Sequence, residues 1–194
     1  CIRDSWNTNG FNQDISDWDV SKVESMEGVF FHAYNLNVDV SKWDVSNVIS
    51  MKRMFRGAFY ANPDVSQWDV SKVTNMLEMF HGTDIAQDLK NWDVSNVTNM
   101  EKMFYGAFAF NQPIGNWDVS RVVSFSEMFA NATLFNQDIS NWNTSSATNF
   151  GSMFRNARNF DQNISKWDTS KGTNLGQLFR AVSYTHLTLP TISD

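Results

Sequence analysis

Apolar residues recur along the chain with a fixed period. A tryptophan followed by Asp or Asn, then Val or Thr, then Ser recurs seven times at a spacing of about 25 residues, with one interval shorter by a single residue. Self-similarity at such a period indicates a stack of small supersecondary units that bury one another's apolar sides. The tryptophans that mark the units are Trp18, Trp43, Trp68, Trp92, Trp117, Trp142 and Trp167.

The first half of each unit has the spacing of a strand. In one unit, Ile114, Trp117 and Val119 give the pattern I-x-x-W-x-V, and its W-x-V part alternates apolar and polar residues. Successive side chains of a strand point to opposite faces, so the Trp and the Val are expected to point inward while Asp118 points outward. We therefore predict that each tryptophan packs in the core, in preference to an exposed row of rings that holds sugars.

The second half of each unit has the spacing of a short helix. Its apolar residues step by three and four, as at Val97, Met100, Met103 and Phe104. A capping box, in which a hydroxyl and a carboxylate each satisfy a backbone N–H at a helix start, is matched by Thr98-x-x-Glu101 and Ser124-x-x-Glu127. Three glycines stand where a helix commonly ends in a left-handed conformation, namely Gly57, Gly82 and Gly106.

Each unit is thus predicted to be a strand, a turn, a short helix and a return loop. Stacking of the units would pair strand with strand at about 4.8 Å per coil and align like residues into buried columns. One such column is Ile15, Val40, Val65, Leu89, Ile114, Ile139 and Ile164. Another is Met26, Met51, Met76, Met100, Phe125, Phe150 and Leu175.

The repeat covers residues 11–181. Residues 1–10 do not fit the period and are expected to be a degenerate coil or an N-terminal cap. The segment Val182–Thr191 resembles one reading frame of a transposon-derived sequencing adaptor, so residues 182–194 are expected to be read-through, and the chain a fragment. The complete units are 11–35, 36–60, 61–84, 85–109, 110–134 and 135–159, and a truncated seventh begins at Phe160.

Composition and charge exclude several classes of partner. The net charge of -6 and the pI near 5.0 argue against nucleic acid, because phosphate binding needs clustered cations and the 15 basic residues are scattered among 21 acidic ones. The single cysteine, Cys1, excludes an internal disulfide and a cysteine-based metal site. No run of about 18 apolar residues is present, so no membrane insertion is expected.

An aspartate column is expected on the exposed face of the predicted strands. Like charges one coil apart repel one another, so something must compensate them. Hydrogen bonds from the following Ser and nearby N–H groups are favoured over a shared cation such as calcium, since no Asp-Gly-rich loop accompanies the column. The column comprises Asp19, Asp44, Asp69, Asp93, Asp118 and Asp168, and a second comprises Asp14, Asp39, Asp64, Asp88 and Asp138.

No catalytic set emerges from the remaining polar residues. The three histidines, His32, His81 and His186, fall in unrelated settings, so neither a metal site nor a catalytic pair can be built from them. The serine that follows each Trp by three positions recurs in every unit, whereas a nucleophile needs one particular base beside it. We expect no enzyme activity and no cofactor.

The units resemble the bacterial surface-protein repeat, also called the BspA-like leucine-rich repeat surface family, whose repeat of about 26 residues lies within the range of solenoid repeats. The family pattern F-N-Q-D-I-S-x-W-D-V-S-x-V-T-N-M-x-x-M-F stands almost verbatim from Phe11 to Ser21 and from Trp92 to Phe104. The resemblance implies a secreted or surface-displayed solenoid with adhesion or protein-binding roles. The buried Asn of ordinary leucine-rich repeats is replaced at its usual position by Val23, Val48, Val73, Val97, Val122, Ala147 and Gly172.

Pattern and resemblance together predict an α/β fold. We expect a single right-handed, leucine-rich-repeat-like solenoid with one coil per repeat, a parallel sheet on one face and short helices on the other. A β-solenoid is the alternative. The expected function is binding of a protein or glycan ligand at a cell exterior by a monomeric scaffold; a passive stalk and a calcium-stiffened array are the alternatives.

The variable residue before each Trp should lie outward beside the aspartate column and set specificity if this face binds. The candidate binding residues on the face are therefore Asp17, Asp19, Lys42, Asp44, Gln67, Asp69, Asn91, Asp93, Asn116, Asp118, Asn141, Lys166 and Asp168.

Overall fold

The chain winds into seven stacked coils. The computed structural model describes residues 12–182, so the expectations for residues 1–10 and 183–194, including His186, lie outside the described part. Backbone hydrogen bonds join positions one coil apart, as from the Phe55 N–H to the Met79 carbonyl at 3.0 Å. Coils 1 to 7 comprise residues 12–35, 36–60, 61–84, 85–109, 110–134, 135–159 and 160–182.

Regular secondary structure is nearly absent from residues 12–182: they contain no helix and no strand longer than a single bridged residue. Each coil pairs with the next through one parallel bridge, in the series Ser25, Ser50, Asn75, Asn99, Ser124, Asn149 and Asn174. The predicted α/β solenoid with a parallel sheet and short helices is therefore wrong. The regular strands that the β-solenoid alternative requires are also absent from these residues.

Consecutive β-turns build the coils instead. In coil 2 the N–H of Met54 closes a turn by bonding to the carbonyl three residues earlier, at 3.1 Å. The N–H groups on either side of it, those of Arg53 and Phe55, donate to carbonyls of coil 3 at 2.8 and 3.0 Å. Alternate amides thus serve the turn and the neighbouring coil, which satisfies the backbone without a helix or a sheet.

The apolar spacing that predicted a helix comes from these turns. The first and fourth residues of a turn, such as Met100 and Met103, both point into the core, which gives a step of three. Lys102 has a φ of 53° and Gly106 a φ of 64°, and a right-handed helix cannot include left-handed residues. The expected helix cap also has another role, because the Thr98 hydroxyl donates to the Thr74 carbonyl at 3.2 Å.

Left-handed residues occur twice in every coil, at the third and seventh positions after the bridged residue. The left-handed conformation expected at Gly57, Gly82 and Gly106 is confirmed, although no helix ends there. Apart from these glycines and Gly28, the conformation is adopted by residues with a Cβ, at a steric cost. These are His32, Arg53, Glu78, Lys102, Glu127, Asn131, Ser152, Asn156, Gln177 and Ala181.

The core is a line of stacked columns. Both predicted apolar columns are buried, with Leu175 in the last coil only partly so. A third column of phenylalanines stacks ring on ring, for example Phe55 on Phe80 at 5.7 Å and Phe80 on Phe104 at 5.8 Å. Each fully buried side chain of this size contributes roughly 1.5–3 kcal/mol relative to exposure. Stability therefore depends on contact between neighbouring coils.

The tryptophans lie in this core, as predicted, from Trp43 to Trp167, with 3–4% of each side chain exposed. Each indole N–H also bonds to the preceding coil; that of Trp92 donates to the Val65 carbonyl at 3.0 Å. Trp18 in the first described coil differs, because 49% of it is exposed.

Asparagine and glutamine side chains tie the coils together on the outside. The Asn62 side-chain oxygen accepts the backbone N–H of Ala86 at 3.0 Å and the Gln87 amide at 3.1 Å. The same pattern recurs between coils 5, 6 and 7 through Asn111 and Asn136. An asparagine ladder is thus present in the Phe-Asn-Gln segment. It is missing at the position where ordinary leucine-rich repeats have their buried Asn, which is occupied here by Val48 and its equivalents.

Candidate ligand-binding edge

The thirteen residues expected on an exposed face are all exposed, but no sheet lies beneath them. They occupy two adjoining turns of each coil. In coil 2, Lys42 lies in the turn that Trp43 closes by bonding to the Val40 carbonyl at 3.1 Å. Asp44 precedes the next turn, closed by Val48. The predicted exposure of these residues is therefore correct, but the prediction that they lie on a parallel sheet is wrong.

Both aspartate columns are held by local hydrogen bonds, the arrangement that the sequence favoured. One Asp19 carboxylate oxygen accepts the Ser21 hydroxyl at 2.6 Å and the Ser21 N–H at 3.0 Å. The hydroxyl and then the N–H lower the pKa of the Asp19 carboxyl. The same serine bonds lower the pKa of the carboxyls of Asp39, Asp44, Asp69, Asp118 and Asp168.

These bonds make the aspartates part of the turns. Each carboxylate orients the residue two positions later, which lies inside the turn, as an Asx-turn does. Among residues 12–182 no three His, Cys, Asp or Glu side chains are grouped so as to hold a metal ion. Asn143 bonds to the Ser145 N–H at 3.2 Å in the same way, so the turn does not need a charge.

A different edge of the stack exposes large apolar side chains. It is formed by the last two residues of successive coils, the return loops, and we call it the return-loop edge. Phe59 is 48%, Tyr60 72%, Phe108 55% and Leu134 50% exposed. Tyr34 continues the edge into coil 1, with its ring stacked on Phe59 at 5.4 Å. Elsewhere in coils 2 to 7 the phenylalanines and tryptophans are buried or partly buried.

A groove of about 300 Å³ runs beside this edge across coils 1 to 5, and we call it the glycine groove. Its lining is His32, Arg56, Gly57, Phe59, His81, Gly82, Tyr105, Gly106, Phe108 and Asn131. A Cβ at Gly57 would overlap the His32 ring, and one at Gly82 would come within 3.1 Å of Phe59. A Cβ at Gly106 would meet nothing nearer than 3.9 Å, so this part of the groove is open.

The short third coil separates the two exposed phenylalanines of the groove. Coil 3 has only Thr83 and Asp84 between its left-handed glycine and Ile85, one residue fewer than its neighbours. Thr83 is buried, and its hydroxyl donates to the Phe80 carbonyl at 2.9 Å. The return loop of coil 3 therefore contains no aromatic residue, unlike the loops of coils 2 and 4 on either side of it. The single short interval of the repeat is the origin of this difference.

Charged residues support one wall of the glycine groove. Arg53 and Arg56 both bond to one carboxylate oxygen of Glu78, at 2.6 and 2.8 Å. Burial by itself raises the pKa of Glu78, but the Arg53 hydrogen bond and the Arg56 charge outweigh it and lower the pKa. Burial, helped by the Arg56 charge, lowers the pKa of His81 to about 4. The His81 ring is therefore neutral at pH 7, and it stacks on Tyr105 at 4.5 Å.

A second groove, of about 290 Å³, lies on the other side of the Phe59–Tyr60 pair. Its lining is Asn35, Leu36, Asn37, Val38, Tyr60, Asn62 and Pro63. We call it the amide groove, since three of these seven residues carry side-chain amides and none carries a charge. Phe59 and Tyr60 thus form a ridge with a groove on either side.

Sequence reasoning missed this edge because it followed the repeated residues. The sequence predicts unrelated settings for His32 and His81, and this prediction is wrong, since both line the glycine groove. Two signals could have located the edge. One is the single short interval between tryptophans, and the other is the loss of the Phe-Asn-Gln motif in coils 2 and 3, which read Leu36-Asn37-Val38 and Ala61-Asn62-Pro63.

Comparison with known proteins connects the chain with one family. The family described as "Mycoplasma protein of unknown function, DUF285" matches residues 5–86 and 81–189, which together cover most of the chain. No curated protein and no solved structure matches it. A membrane-spanning helix, which requires length and apolar character together, does not occur in residues 12–182.

Proposed function

We propose a function for this chain, which belongs to the DUF285 family of Mycoplasma proteins: it is a non-enzymatic binding scaffold at a cell exterior. The observation that carries the proposal is the return-loop edge. Exposed apolar patches rimmed by polar residues mark interaction sites in soluble proteins. Phe59, Tyr60 and Phe108 are exposed on this edge, whereas most other large rings of residues 12–182 are buried.

The form of the edge supports binding over a purely mechanical role. A stalk that only separates other domains would present the same surface in every coil. Here the return loop of coil 3 is one residue shorter than those of its neighbours, and the loops of coils 2 and 4 expose aromatic rings whereas those of coils 5 and 6 contain none. The location at a cell exterior rests on the resemblance to surface-protein repeats. The ligand is a protein or a glycan.

The absence of catalytic character rests on the residues of the edge. His81 is neutral and packed against Tyr105, Arg56 is paired with Glu78, and no serine of the described residues lines either groove. A nucleophile or general base needs a partner that activates it. The edge does offer rings and grooves, which suit recognition.

Two sets of variants test which surface binds. The double variant Phe59→Ser, Phe108→Ser removes the exposed rings of the edge, and Lys42→Glu, Lys166→Glu reverses the charges of the predicted row. Both are assayed on arrays of immobilised extracellular proteins and glycans, with circular dichroism and melting as folding controls. We expect the edge variant to lose at least about tenfold in affinity, since aromatic side chains dominate binding energy at most interfaces.

The array has two informative outcomes besides the expected one. Loss of binding in the charge-reversed variant alone would show that the predicted row is the binding surface and would overturn the assignment to the edge. No binding of the parent chain to any immobilised ligand would contradict the binding function itself and favour the stalk.

A further inference from the structure

The amide groove exists because coils 2 and 3 depart from the repeat. In coils 5 to 7 the first residue of the coil is phenylalanine, and these rings stack at 6.0 Å and 5.9 Å from coil to coil. In coils 2 and 3 the same position holds Leu36 and Ala61. The smaller side chains fill less of the space at the edge. Both are buried, so they form part of the core behind the groove.

The glutamine of the repeat is also missing here. In coil 4, Gln87 donates its amide to the oxygens of Asn62 at 3.1 and 3.3 Å. The equivalent residue in coil 3 is Pro63, which has no donor to reach back to Asn37. The Asn37 side chain consequently bonds to no described residue. Pro63 therefore leaves Asn37, which lines the amide groove, without the glutamine partner that Asn62 and Asn111 have.

The asparagines present donors and acceptors to the groove in a fixed arrangement. The Asn62 side-chain oxygen accepts both the Ala86 N–H and the Gln87 amide, which holds the plane of the Asn62 amide. Its Nδ2 donor is not used by any described residue. Asn37 contributes a donor and an acceptor, and its backbone is held by an N–H bond to the Asn12 side chain at 2.7 Å.

The lining specifies the charge and shape of a ligand. No residue of the groove is charged, and an ionic ligand would lose hydration without gaining an opposite charge. Tyr60, 72% exposed, offers a flat ring, and Leu36, Val38 and Pro63 add apolar surface. At about 290 Å³ the groove is at the small end of ligand sites, so it suits one ring better than an extended chain.

We propose that the amide groove binds a neutral saccharide ring. The C–H face of the sugar lies on Tyr60, and neighbouring hydroxyls exchange hydrogen bonds with the amides of Asn37 and Asn62. A hydroxyl both donates and accepts, as does a side-chain amide, so the two groups satisfy each other. The inference rests on the proposed binding function and names the ligand class at one groove of the return-loop edge.

Titration followed by NMR tests the inference directly. The ¹⁵N-labelled chain is titrated with glucose, galactose, mannose and N-acetylglucosamine, and with glucuronic and N-acetylneuraminic acids as charged counterparts. We expect at least one neutral sugar to shift the Asn37 and Asn62 side-chain signals at saturable concentrations. Charged sugars should shift them with at least tenfold higher Kd.

Three variants locate the site. Tyr60→Ser should raise the Kd of the neutral sugar at least tenfold. Pro63→Gln restores the glutamine of the repeat. The new side chain should bond to Asn37 as Gln87 bonds to Asn62, and so close the groove. Sugar binding should then be lost, while the melting temperature stays equal or rises. Leu134→Ser is the matched control, because Leu134 occupies the Tyr60 position of coil 5, where Gln137 of the next coil bonds to Asn111 at 2.9 Å. Its Kd should equal that of the parent.

Two results would overturn the inference. One is the absence of any saturable shift with neutral sugars, and the other is binding that survives both Tyr60→Ser and Pro63→Gln. Neither result affects the binding function as such, since proteins on the array could still bind through Phe59 and Phe108. If the chain bound no protein of the array but its NMR signals still shifted with neutral sugars, the sugar site would stand and the proposal of a protein partner would fail.

Discussion

At the scale of single residues, the tryptophan has two structural roles. Its ring fills the core between neighbouring coils, and its N–H satisfies a carbonyl of the preceding coil, as Trp92 does for Val65. Burial of a polar group is costly unless it is hydrogen-bonded, so the two roles depend on each other. This explains why Trp, and not another large apolar residue, occupies the position in the six coils from Trp43 to Trp167.

Removal of the indole N–H should therefore weaken the stack. Trp92→Phe leaves the buried Val65 carbonyl with the Trp68 N–H as its one remaining donor, at 3.2 Å, and a smaller ring in the core. We expect a loss of about 2–3 kcal/mol in the free energy of unfolding. Urea denaturation measures it. Trp18→Phe is the control, since Trp18 is half exposed and the change there should be below about 0.5 kcal/mol. Equal losses at the two positions would contradict the proposed role.

The inward position of the tryptophans was predictable from sequence, because the alternation of Trp and Val with Asp and Ser is a strong local signal. The local hydrogen bonds of the aspartates were predictable for the same reason, since an Asp two residues before a Ser can bond to it in many backbone conformations. Both features depend on neighbours in sequence, so Asp19 and Ser21 suffice to indicate one of them.

At the scale of the element, the helix prediction failed because two structures share one spacing. A helix and a row of β-turns both bring residues three positions apart to the same side. They differ in the partners of the remaining backbone N–H groups. The N–H groups of Met100 and Lys102 donate to backbone carbonyls of coil 5, at 3.1 and 2.9 Å. The accepting carbonyls lie a full coil further along the chain, so the local sequence does not indicate them. Left-handed φ at residues such as Lys102 and Ser152 also gave no warning, since glycine is usual there.

The left-handed residues should be sites where glycine stabilises the fold. Ser152 has a φ of 55°, and its side chain makes no hydrogen bond with the described residues. Ser152→Gly removes the Cβ that opposes this conformation, and we expect the free energy of unfolding to rise by about 0.5–1 kcal/mol despite the greater flexibility of the unfolded chain. Thermal and urea unfolding measure the change.

Ser152→Ala separates the backbone effect from the loss of the hydroxyl. It keeps the Cβ, so its stability should equal that of the parent within about 0.3 kcal/mol. A gain of the same size in the alanine variant would assign the effect to the hydroxyl and refute the steric explanation.

At the scale of the whole molecule, the repeat predicted the stack, and departures from the repeat produced the candidate site. The buried columns follow from the period alone, which is why they could be read before the structure was known. The grooves follow from one missing residue in coil 3 and from Pro63 in place of a glutamine. These differences are absent from the average repeat, and only stacking brings Phe59 within reach of Gly82 in the next coil.

The complete stack should also hold without a metal ion. Calcium that bound the native chain alone would raise its melting temperature, and a chelator would lower it. The Asp44 and Asp69 carboxylates instead accept bonds from the serines two residues later, at 3.1 and 3.0 Å, and those bonds are present whether or not calcium is added. We expect melting temperatures in EDTA and in millimolar calcium, measured at equal ionic strength and neutral pH, to agree within about 1 °C. A larger rise of the melting temperature in calcium, abolished by Asp69→Asn, would show that the aspartate column binds the ion and that calcium stiffens the array. Magnesium at the same concentration is the control for screening of the repulsion between coils.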